Sequence, residues 1–170
     1  MMKAPVTLSD IEIRTELMPR DTANALKLHG ELYASEYGYG PSFQKYVAEG
    51  LTELIHEYDP KTQRVWVAEH NAKMVGFMAL MKRGHQAQLR YFLIRPECRG
   101  IGLGNEMMRR FMRFLTSTGY RGAYLWTTNE QVTAAALYKK YGFVITEEKV
   151  SNEFGKTLIE QKYELRTSAF

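Results

Sequence analysis

The stretch RPECRGIGLGNEMMRRFMRFL, residues 95–115, places three glycines at alternate positions directly before a strongly amphipathic segment. In that segment Leu103, Met107, Phe111 and Leu115 recur at four-residue spacing, which predicts a helix with one buried face. Glycine loses more chain entropy on folding than other residues and adds no side-chain packing. Packing and stability therefore do not explain the three glycines, and a structural or binding role at this turn is expected.

A strand, a glycine-rich turn and a helix N-terminus, in that order, form an anion-binding site. Residues 87–94, AQLRYFLI, are typical of a strand. Backbone N–H groups of the first helical turn carry the positive end of the helix dipole, and the missing Cβ atoms of Gly100, Gly102 and Gly104 let phosphate oxygens approach. Arg99 adds a permanent cation. The sequence predicts a site for a phosphate-bearing ligand.

The spacing of the glycines excludes two common phosphate-binding motifs. A P-loop requires G-x-x-x-x-G-K-[ST], and the GKT at residues 155–157 has Val150 where the first glycine belongs. A dinucleotide fingerprint requires G-x-G-x-x-G, but Gly100 and Gly102 are followed by Asn105 at the third glycine position. The motif therefore belongs to another class.

The rest of the chain alternates strand-like and helix-like segments. Apolar patterning predicts seven strands, at residues 11–17, 64–70, 74–82, 87–94, 122–128, 143–150 and 157–165. Three- and four-residue spacing predicts three further helices, from an N-cap at Asp21 to about Tyr37, from about Phe43 to Tyr58, and from about Thr133 to Tyr141. The short gaps within residues 64–94 predict an antiparallel meander.

Composition indicates one globular domain. The chain has 170 residues, 45% hydrophobic and 25% charged, with no linker or composition shift, so we expect a single domain over residues 1–170. Cys98 is the single cysteine, which excludes an internal disulfide and a four-cysteine zinc site. A lone cysteine favours a reducing compartment, so we expect a cytoplasmic protein without a bound metal.

Charge and hydropathy limit the classes of partner. No run of eighteen apolar residues occurs, and the N-terminus lacks the apolar segment of a signal peptide, so we expect no association with a membrane. The net charge of +4 suits nucleic acid and a small polyanion equally well. Because no block of lysine and arginine is dense enough to indicate nucleic acid, we expect no such partner.

RGIGLG, residues 99–104, resembles the R/Q-x-x-G-x-G/A signature of the GNAT N-acetyltransferase superfamily, with Arg99, Gly102 and Gly104 at the defining positions. AAALYKKYGF, residues 134–143, resembles the second signature of that superfamily, an alanine-rich helix that ends in a tyrosine before Gly-Phe. The resemblance implies an α+β fold in α/β/α layers, with a mixed, mostly antiparallel sheet of about seven strands and about four helices.

A narrower resemblance involves residues 29–43, 125–143 and 154–165. These segments are similar to the acetyltransferase half of bacterial proteins that fuse a MarR-type winged helix to a GNAT domain. The winged-helix half has no counterpart in this sequence, so the resemblance implies no operator binding.

The superfamily resemblance also implies a cofactor and its contacts. The co-substrate is acetyl-CoA, whose acetyl group is transferred to an amine. Backbone groups of Phe92, Leu93 and Ile94 would bind the pantetheine arm, and the N–H of Leu93 would polarise the thioester carbonyl. Tyr138 would protonate or hydrogen-bond the departing thiolate. The pyrophosphate would be bound by the amides of Arg99, Gly100, Ile101, Gly102, Leu103 and Gly104, and Asn129 would add a further contact.

The general base is not implied by the resemblance. Many relatives that acetylate proteins have a glutamate near the start of the strand before the glycines, where this chain has Gln88. Glu36 is our candidate, because Leu28, Leu32 and Glu36 share one helix face and partial burial would favour the carboxylate as a proton acceptor. The alternatives are a water chain and an amine that binds already deprotonated.

Several candidates also have a purely structural interpretation. His29 is more typical of a satisfied core histidine than of a base, and Cys98 has no histidine near it in sequence to activate its thiol. Tyr138 is interpretable as a core aromatic. The same holds for a set of aromatics that would otherwise line an acceptor pocket, Tyr33, Tyr37, Tyr39 and Trp126.

Three functions are consistent with these residues. The favoured one is direct acetylation of a small-molecule amine. The alternatives are acetylation of a protein N-terminus or lysine, against which Gln88 counts, and acyl-CoA sensing without catalysis. The sequence does not distinguish whether the last strand, residues 157–165, completes the sheet or pairs with a second copy, and a homodimer is common in the resembling family.

Overall fold

The computed structural model describes residues 2–167, in which seven strands form one mixed sheet. The strands are β1 (Glu12–Arg14), β2 (Arg64–His70), β3 (Lys73–Arg83), β4 (Gln86–Ile94), β5 (Gly122–Thr128), β6 (Val144–Ser151) and β7 (Leu158–Arg166). They are arranged in the order β1-β2-β3-β4-β5-β7-β6, and all neighbours are antiparallel except β4 and β5. The predicted meander is β2-β3-β4.

Four helices cover the two faces of the sheet: α1 (Asp21–Tyr37), α2 (Pro41–Glu57), α3 (Leu103–Ser117) and α4 (Val132–Lys140). Helices α1 and α2 pack on one face, and α3 and α4 pack on the other. This arrangement confirms the predicted α/β/α layers, with seven strands and four helices.

The alternation of β3 divides the core into two layers. Phe77, Ala79 and Met81 pack towards α1 and α2, whereas Met78 and Leu80 pack towards α3 and α4. The predicted apolar face of α3 is entirely buried, with Leu103, Met107, Phe111 and Leu115 each at most 1% exposed. The central strands are therefore covered on both faces, and an opening occurs where two of them separate.

Strands β4 and β5 separate halfway along their length. Their parallel pairing runs from Gln86↔Gly122 to Gln88↔Tyr124 and stops there. Beyond that point β4 contains an extra residue relative to β3, and Tyr91 adopts a left-handed φ of 60°. A bulge of this kind bends a strand and re-aims its side chains. It opens the sheet directly before the glycine-rich turn.

The ends of the chain differ in part from the sequence prediction. β7 lies between β5 and β6, so residues 158–166 complete the sheet within the chain. The first strand is shorter than the predicted residues 11–17. Asp21 is the first helical residue and not the N-cap. Its buried carboxylate accepts hydrogen bonds from the Arg14 guanidinium and the Met18 amide. Within residues 2–167, no helix is long and apolar enough to cross a bilayer.

Candidate active site

A cleft of about 490 Å³ runs along the separated part of β4, between α1, α4 and the glycine-rich turn. We call it the long cleft. It brings together eight of the residues predicted from the sequence, Glu36, Phe92, Leu93, Ile94, Arg99, Gly100, Gly102 and Gly104. The elements that sequence reasoning connected only by family resemblance are therefore adjacent in space.

The turn at one end of the long cleft has the backbone of an anion site. Gly100 and Gly102 have left-handed φ values of 75° and 91°, which residues with a Cβ rarely adopt. Gly102 is the N-cap of α3, no side chain caps the helix, and the first intrahelical bond runs from Glu106 N to Gly102 O. The amides of the first turn thus lack intrahelical acceptors, which leaves them for a ligand phosphate.

Gly104 has a different role from the other two glycines. A Cβ at this position would lie 3.3 Å from Leu137 Cδ2 and 3.5 Å from Ile94 Cδ1. Both of those residues line the long cleft. The missing side chain therefore lets α3 approach α4 and β4 closely, and the width of the cleft depends on it.

Two cations lie along the long cleft. Arg99 is held by Glu36 and by the Ile94 carbonyl, to which its Nε donates at 2.9 Å. Lys140, at the end of α4, donates to the neutral amide oxygen of Asn105 at 2.8 Å and so keeps its full charge near the turn. Sequence reasoning missed Lys140, although its position two residues after Tyr138 on the same helix was a signal.

The predicted base, Glu36, is ion-paired in the structure. Its two oxygens accept hydrogen bonds from Arg99 at 2.7 and 3.1 Å, and the carboxylate lines the long cleft. A carboxylate with both oxygens bound to a guanidinium is poorly placed to take a proton from a substrate. Glu36 positions Arg99 beside the turn.

The register of β4 bears on the predicted oxyanion donor, the N–H of Leu93. Arg95 N donates to Val75 O, and the same register pairs Phe77 with Leu93. Because hydrogen-bonded and non-bonded pairs alternate in an antiparallel ladder, the N–H of Leu93 points to β3 and is engaged there. The N–H of Ile94 points the other way, into the gap, and Phe92 lies next to it in the bulge.

A second cavity of about 90 Å³ lies deeper, between β4, β5, β7 and the two helices α1 and α2. We call it the inner cavity. Tyr33, Phe92 and Gln131 line both spaces, and the Tyr33 hydroxyl donates to Gln131 Oε1 at 3.3 Å. The long cleft and the inner cavity therefore share a wall.

Tyr138 lines the inner cavity from α4 and is 4% exposed. Burial raises the pKa of its hydroxyl well above the usual range, with smaller contributions from Tyr163 and Tyr37. The hydroxyl is therefore protonated at neutral pH and can donate a hydrogen bond, and the ring centre lies 6.4 Å from that of Phe92 on the shared wall.

His29 lies on the opposite wall of the inner cavity. Its Nδ1 donates to Ala25 O at 2.7 Å, and its ring stacks on Tyr33. Burial lowers the pKa of the imidazole to about 4, so the ring is neutral at physiological pH with Nε2 unprotonated. This agrees with the structural interpretation of His29.

The remaining predicted residues lie outside the two spaces or at their edges. Asn129 pairs with Ile159 through its amide and side chain and lines neither space. Ile101 and Leu103 pack towards the α3 side of the core. Cys98 is buried, and burial raises the pKa of its thiol, which disfavours the thiolate. Gln88 lines the inner cavity and accepts a hydrogen bond from Arg83.

Comparison with known proteins gives a consistent result. Residues 61–145, half of the chain, match the model of the acetyltransferase (GNAT) domain. An uncharacterised N-acetyltransferase of Schizosaccharomyces pombe is 28% identical over 142 residues, which are 82% of this chain and 86% of that one. N-acetyltransferase 8 proteins of rat and human also match, and this chain spans less than half of their length.

Solved structures share the fold. An acetyltransferase of Streptococcus agalactiae superimposes with a TM-score of 0.73 at 20% identity and covers 94% of this chain and 100% of that one. A Bacillus anthracis acetyltransferase solved in complex with acetyl coenzyme A gives a TM-score of 0.56 at 21% identity, over 64% of this chain and 65% of that one.

Proposed function

Because this chain belongs to the GNAT acetyltransferase family, we propose that it transfers the acetyl group of acetyl-CoA directly to the nitrogen of a small-molecule amine. The observation that carries the proposal is the uncapped N-terminus of α3 at one end of a long cleft whose other end shares a wall with the inner cavity. A diphosphate would fit the α3 N-terminus, an extended arm would fit the long cleft, and a reacting group would fit the wall shared with the inner cavity.

The residues of the long cleft suit coenzyme A. The first-turn amides of α3 would bind the pyrophosphate, and Lys140 and Arg99 would add positive charge there. The outward N–H groups of β4 would pair with the amides of the pantetheine arm. When bound, acetyl-CoA supplies an activated thioester carbonyl.

Two groups of this chain would assist the transfer. Phe92 lies on the wall that the two spaces share, and we assign its N–H the role of oxyanion donor. The protonated hydroxyl of Tyr138 would donate to the departing thiolate. Attack by the amine through a ternary complex needs no covalent acyl-enzyme.

The form of the inner cavity favours a small acceptor over a protein. It is narrow and walled mainly by aromatic side chains, whereas a protein substrate requires an open groove. Gln88 also favours a small-molecule acceptor, because many protein acetyltransferases have a glutamate at this position. The retained hydroxyl of Tyr138 favours catalysis over acyl-CoA sensing.

Further parts of the proposal concern the whole chain. We propose one acetyltransferase domain over residues 1–170, a cytoplasmic location and a homodimer. The closer resemblance to the acetyltransferase half of MarR-type fusion proteins stays a prediction, since none of the relatives named above is described as such a fusion.

The experiment that tests the proposal is thermal unfolding with acetyl-CoA and CoA, with ATP and NADH as controls. A ligand at one hundred times its dissociation constant adds about 2.7 kcal/mol, which raises the melting temperature by about 5–10 °C. We expect this rise with the two CoA species and not with the controls. A rise with none of them, or an equal rise with all four, contradicts the proposed site.

A substitution and an assay complete the test. Gly104→Glu introduces a side chain and a negative charge beside the turn and should abolish the CoA-induced rise, while circular dichroism shows whether the variant is folded. Thiol release from acetyl-CoA is then followed with a panel of amines and with peptide lysines. Faster release with peptides than with small amines would overturn the proposed acceptor class.

A further inference from the structure

Glu160 is a buried carboxylate in the inner cavity that the functions proposed above do not use. It lies on β7 opposite Thr128 of β5 and is 8% exposed. Neither of its carboxylate oxygens takes part in a hydrogen bond with the described residues, and Oε2 is fully buried without a partner. A buried charge without hydrogen bonds is costly, so a group that bonds to it is expected.

Two other polar groups in the same cavity also lack partners. The hydroxyls of Thr127 and Tyr91 are buried and unpaired, and both residues line the inner cavity together with Glu160. Three of the five buried unpartnered polar atoms found among residues 2–167 thus belong to one small space. Of the three, the Glu160 carboxylate shares the α1/α2 face of the sheet with Thr128, and a carboxylate is suited to a donor-rich ligand head such as an ammonium group.

A lysine of the chain itself shows that an ammonium group fits beside Glu160. Lys149 Nζ lies 3.8 Å from Glu160 Oε2 and 4.9 Å from the centre of the Trp126 ring. The ion-pair distance is too long for a hydrogen bond, and the lysine side chain is half exposed on the edge strand β6. Glu160 and Trp126 therefore already attract the ammonium group of Lys149, but this cation makes no hydrogen bond to the carboxylate.

Apart from tyrosines, the other titratable side chains that face the inner cavity, Arg90 and His29, carry no negative charge that could bind an ammonium group. Arg90 lies over the rings of Tyr46 and Tyr91, and its Nη1 is 3.9 Å from Glu53. His29 is neutral at physiological pH. Glu160 is thus the negative charge available to a ligand, and the walls around it are aromatic.

We propose that the acceptor enters the inner cavity as a primary ammonium on an aromatic or apolar arm, and that the Glu160 carboxylate binds the ammonium and removes its proton. This inference rests on the proposed function, because it describes the acceptor side of the same site. Aromatic side chains of the cavity wall, including Tyr39 and Trp126, contact the arm.

The proton balance of this step is complete. Glu160 takes one proton from the ammonium, and the freed lone pair attacks the thioester carbonyl carbon to form the C–N bond. The C–S bond breaks, and the thiolate takes the proton of the Tyr138 hydroxyl. The resulting phenolate takes the remaining surplus proton from nitrogen. Glu160 then releases its proton to solvent, and the net products are an amide, a thiol and one proton.

The first test is binding of 2-phenylethylamine, an ammonium at pH 7, and of its neutral isostere 2-phenylethanol, by calorimetry on the full chain saturated with CoA. We expect the amine to bind about tenfold more tightly than the alcohol, as for a charge-assisted hydrogen bond. Glu160→Gln should abolish this preference. Equal affinity of the wild-type protein for the two probes, or an unchanged preference in the variant, overturns the inference.

A matched control isolates the role of Glu160. Glu164 lies four residues further along β7 on the same face, pairs with Lys162 and does not line the inner cavity. Glu164→Gln should leave the amine affinity within about twofold of wild type. A loss equal to that of Glu160→Gln would assign the effect to general charge and not to the cavity.

Two further measurements separate binding from proton removal and from failure of the proposed function. Glu160→Gln should lower kcat/KM for 2-phenylethylamine by about 10²-fold at pH 7. Lys149→Met removes the resident cation and should raise the amine affinity, whereas a fall contradicts this arrangement. CoA affinity should be unchanged in every variant. If the wild-type protein fails to bind CoA, the proposed function fails, while the preference for amine over alcohol, measured without CoA, still reports on Glu160.

Discussion

At the scale of single residues, the hydroxyl of Tyr138 is the group on which turnover should depend most directly. Tyr138→Phe should lower kcat by about 10²-fold with unchanged affinity for CoA, because the ring stays in place while the proton donor is lost. Tyr163→Phe is the matched control, since Tyr163 is also buried, lies 6.0 Å from Tyr138 between ring centres and lines neither space. Single-turnover kinetics and CoA titration measure the two effects. Unchanged kcat in Tyr138→Phe would remove the tyrosine from the mechanism.

His29 should give the fold a distinct dependence on pH. Its pKa is lowered to about 4 in the folded protein from an ordinary value of 6.5, so the unfolded chain binds more protons between these values. The free energy of unfolding should therefore decrease as pH falls from about 6.5 to 4, by about 3 kcal/mol from this residue.

Urea unfolding of the wild type and of His29→Asn measures this contribution. The asparagine amide can still donate to the Ala25 carbonyl but does not titrate, so the difference between the two proteins isolates the imidazole. Parallel pH profiles for the two proteins would contradict the assigned shift.

Single residues could be predicted from the sequence where only one residue type suits the backbone conformation. The glycines at 100 and 102 were identified by their spacing, and both adopt conformations that favour glycine. Sequence reasoning could not address the direction of the Leu93 N–H, because that direction depends on strand register. No pattern in the sequence marks the extra residue of β4 at Tyr91. Glu160 was missed because its burial depends on β7 lying between β5 and β6.

At the scale of elements, the close approach of α3 to α4 and β4 should control the affinity for CoA. Gly104→Ala places a methyl group against Leu137 and Ile94 and pushes the walls of the long cleft. Overpacking of this kind costs about 1–3 kcal/mol of folding free energy, and relief of the contact by displacement of the cleft walls should weaken CoA binding by about tenfold. Stability should change less, because alanine favours the helix at this position.

Calorimetric titration with CoA and urea unfolding measure the two quantities. Ser117→Ala, at the exposed end of the same helix, is the control and should alter neither. Unchanged CoA affinity in Gly104→Ala would mean that the cleft does not depend on this contact.

Elements were predicted best where one face is buried. The apolar stripe of α3 and the β2-β3-β4 meander follow from periodicity alone, because burial forces side chains onto one face. The start of α1 was misjudged by one position. Asp21 is bound by Arg14 and the Met18 amide, and this tertiary ion pair overrides the local capping preference.

At the scale of the whole molecule, β6 is the place where a second copy should bind. It is an edge strand that pairs with β7 alone among the described strands, and Val144 and Val150 are 60% and 74% exposed. Exposed apolar edge strands favour pairing with another chain. We expect sedimentation velocity at micromolar concentration to show a dimer.

Val150→Lys should shift that dimer to monomer, because a charge on an edge strand opposes pairing. Ser9→Lys adds the same charge on a distant exposed site and should leave the dimer intact. A monomer in the wild-type protein at every concentration would contradict the homodimer.

The wall shared by the long cleft and the inner cavity means that the two substrates are thermodynamically linked. Tyr33, Phe92 and Gln131 contact whatever occupies either space. A ligand that fixes these side chains from one side spares a second ligand part of the ordering entropy on the other. If bound CoA changes the affinity for the amine by some factor, bound amine must change the affinity for CoA by the same factor. Cooperative binding of the two proposed substrates would then depend on these three side chains and would need no moving lid.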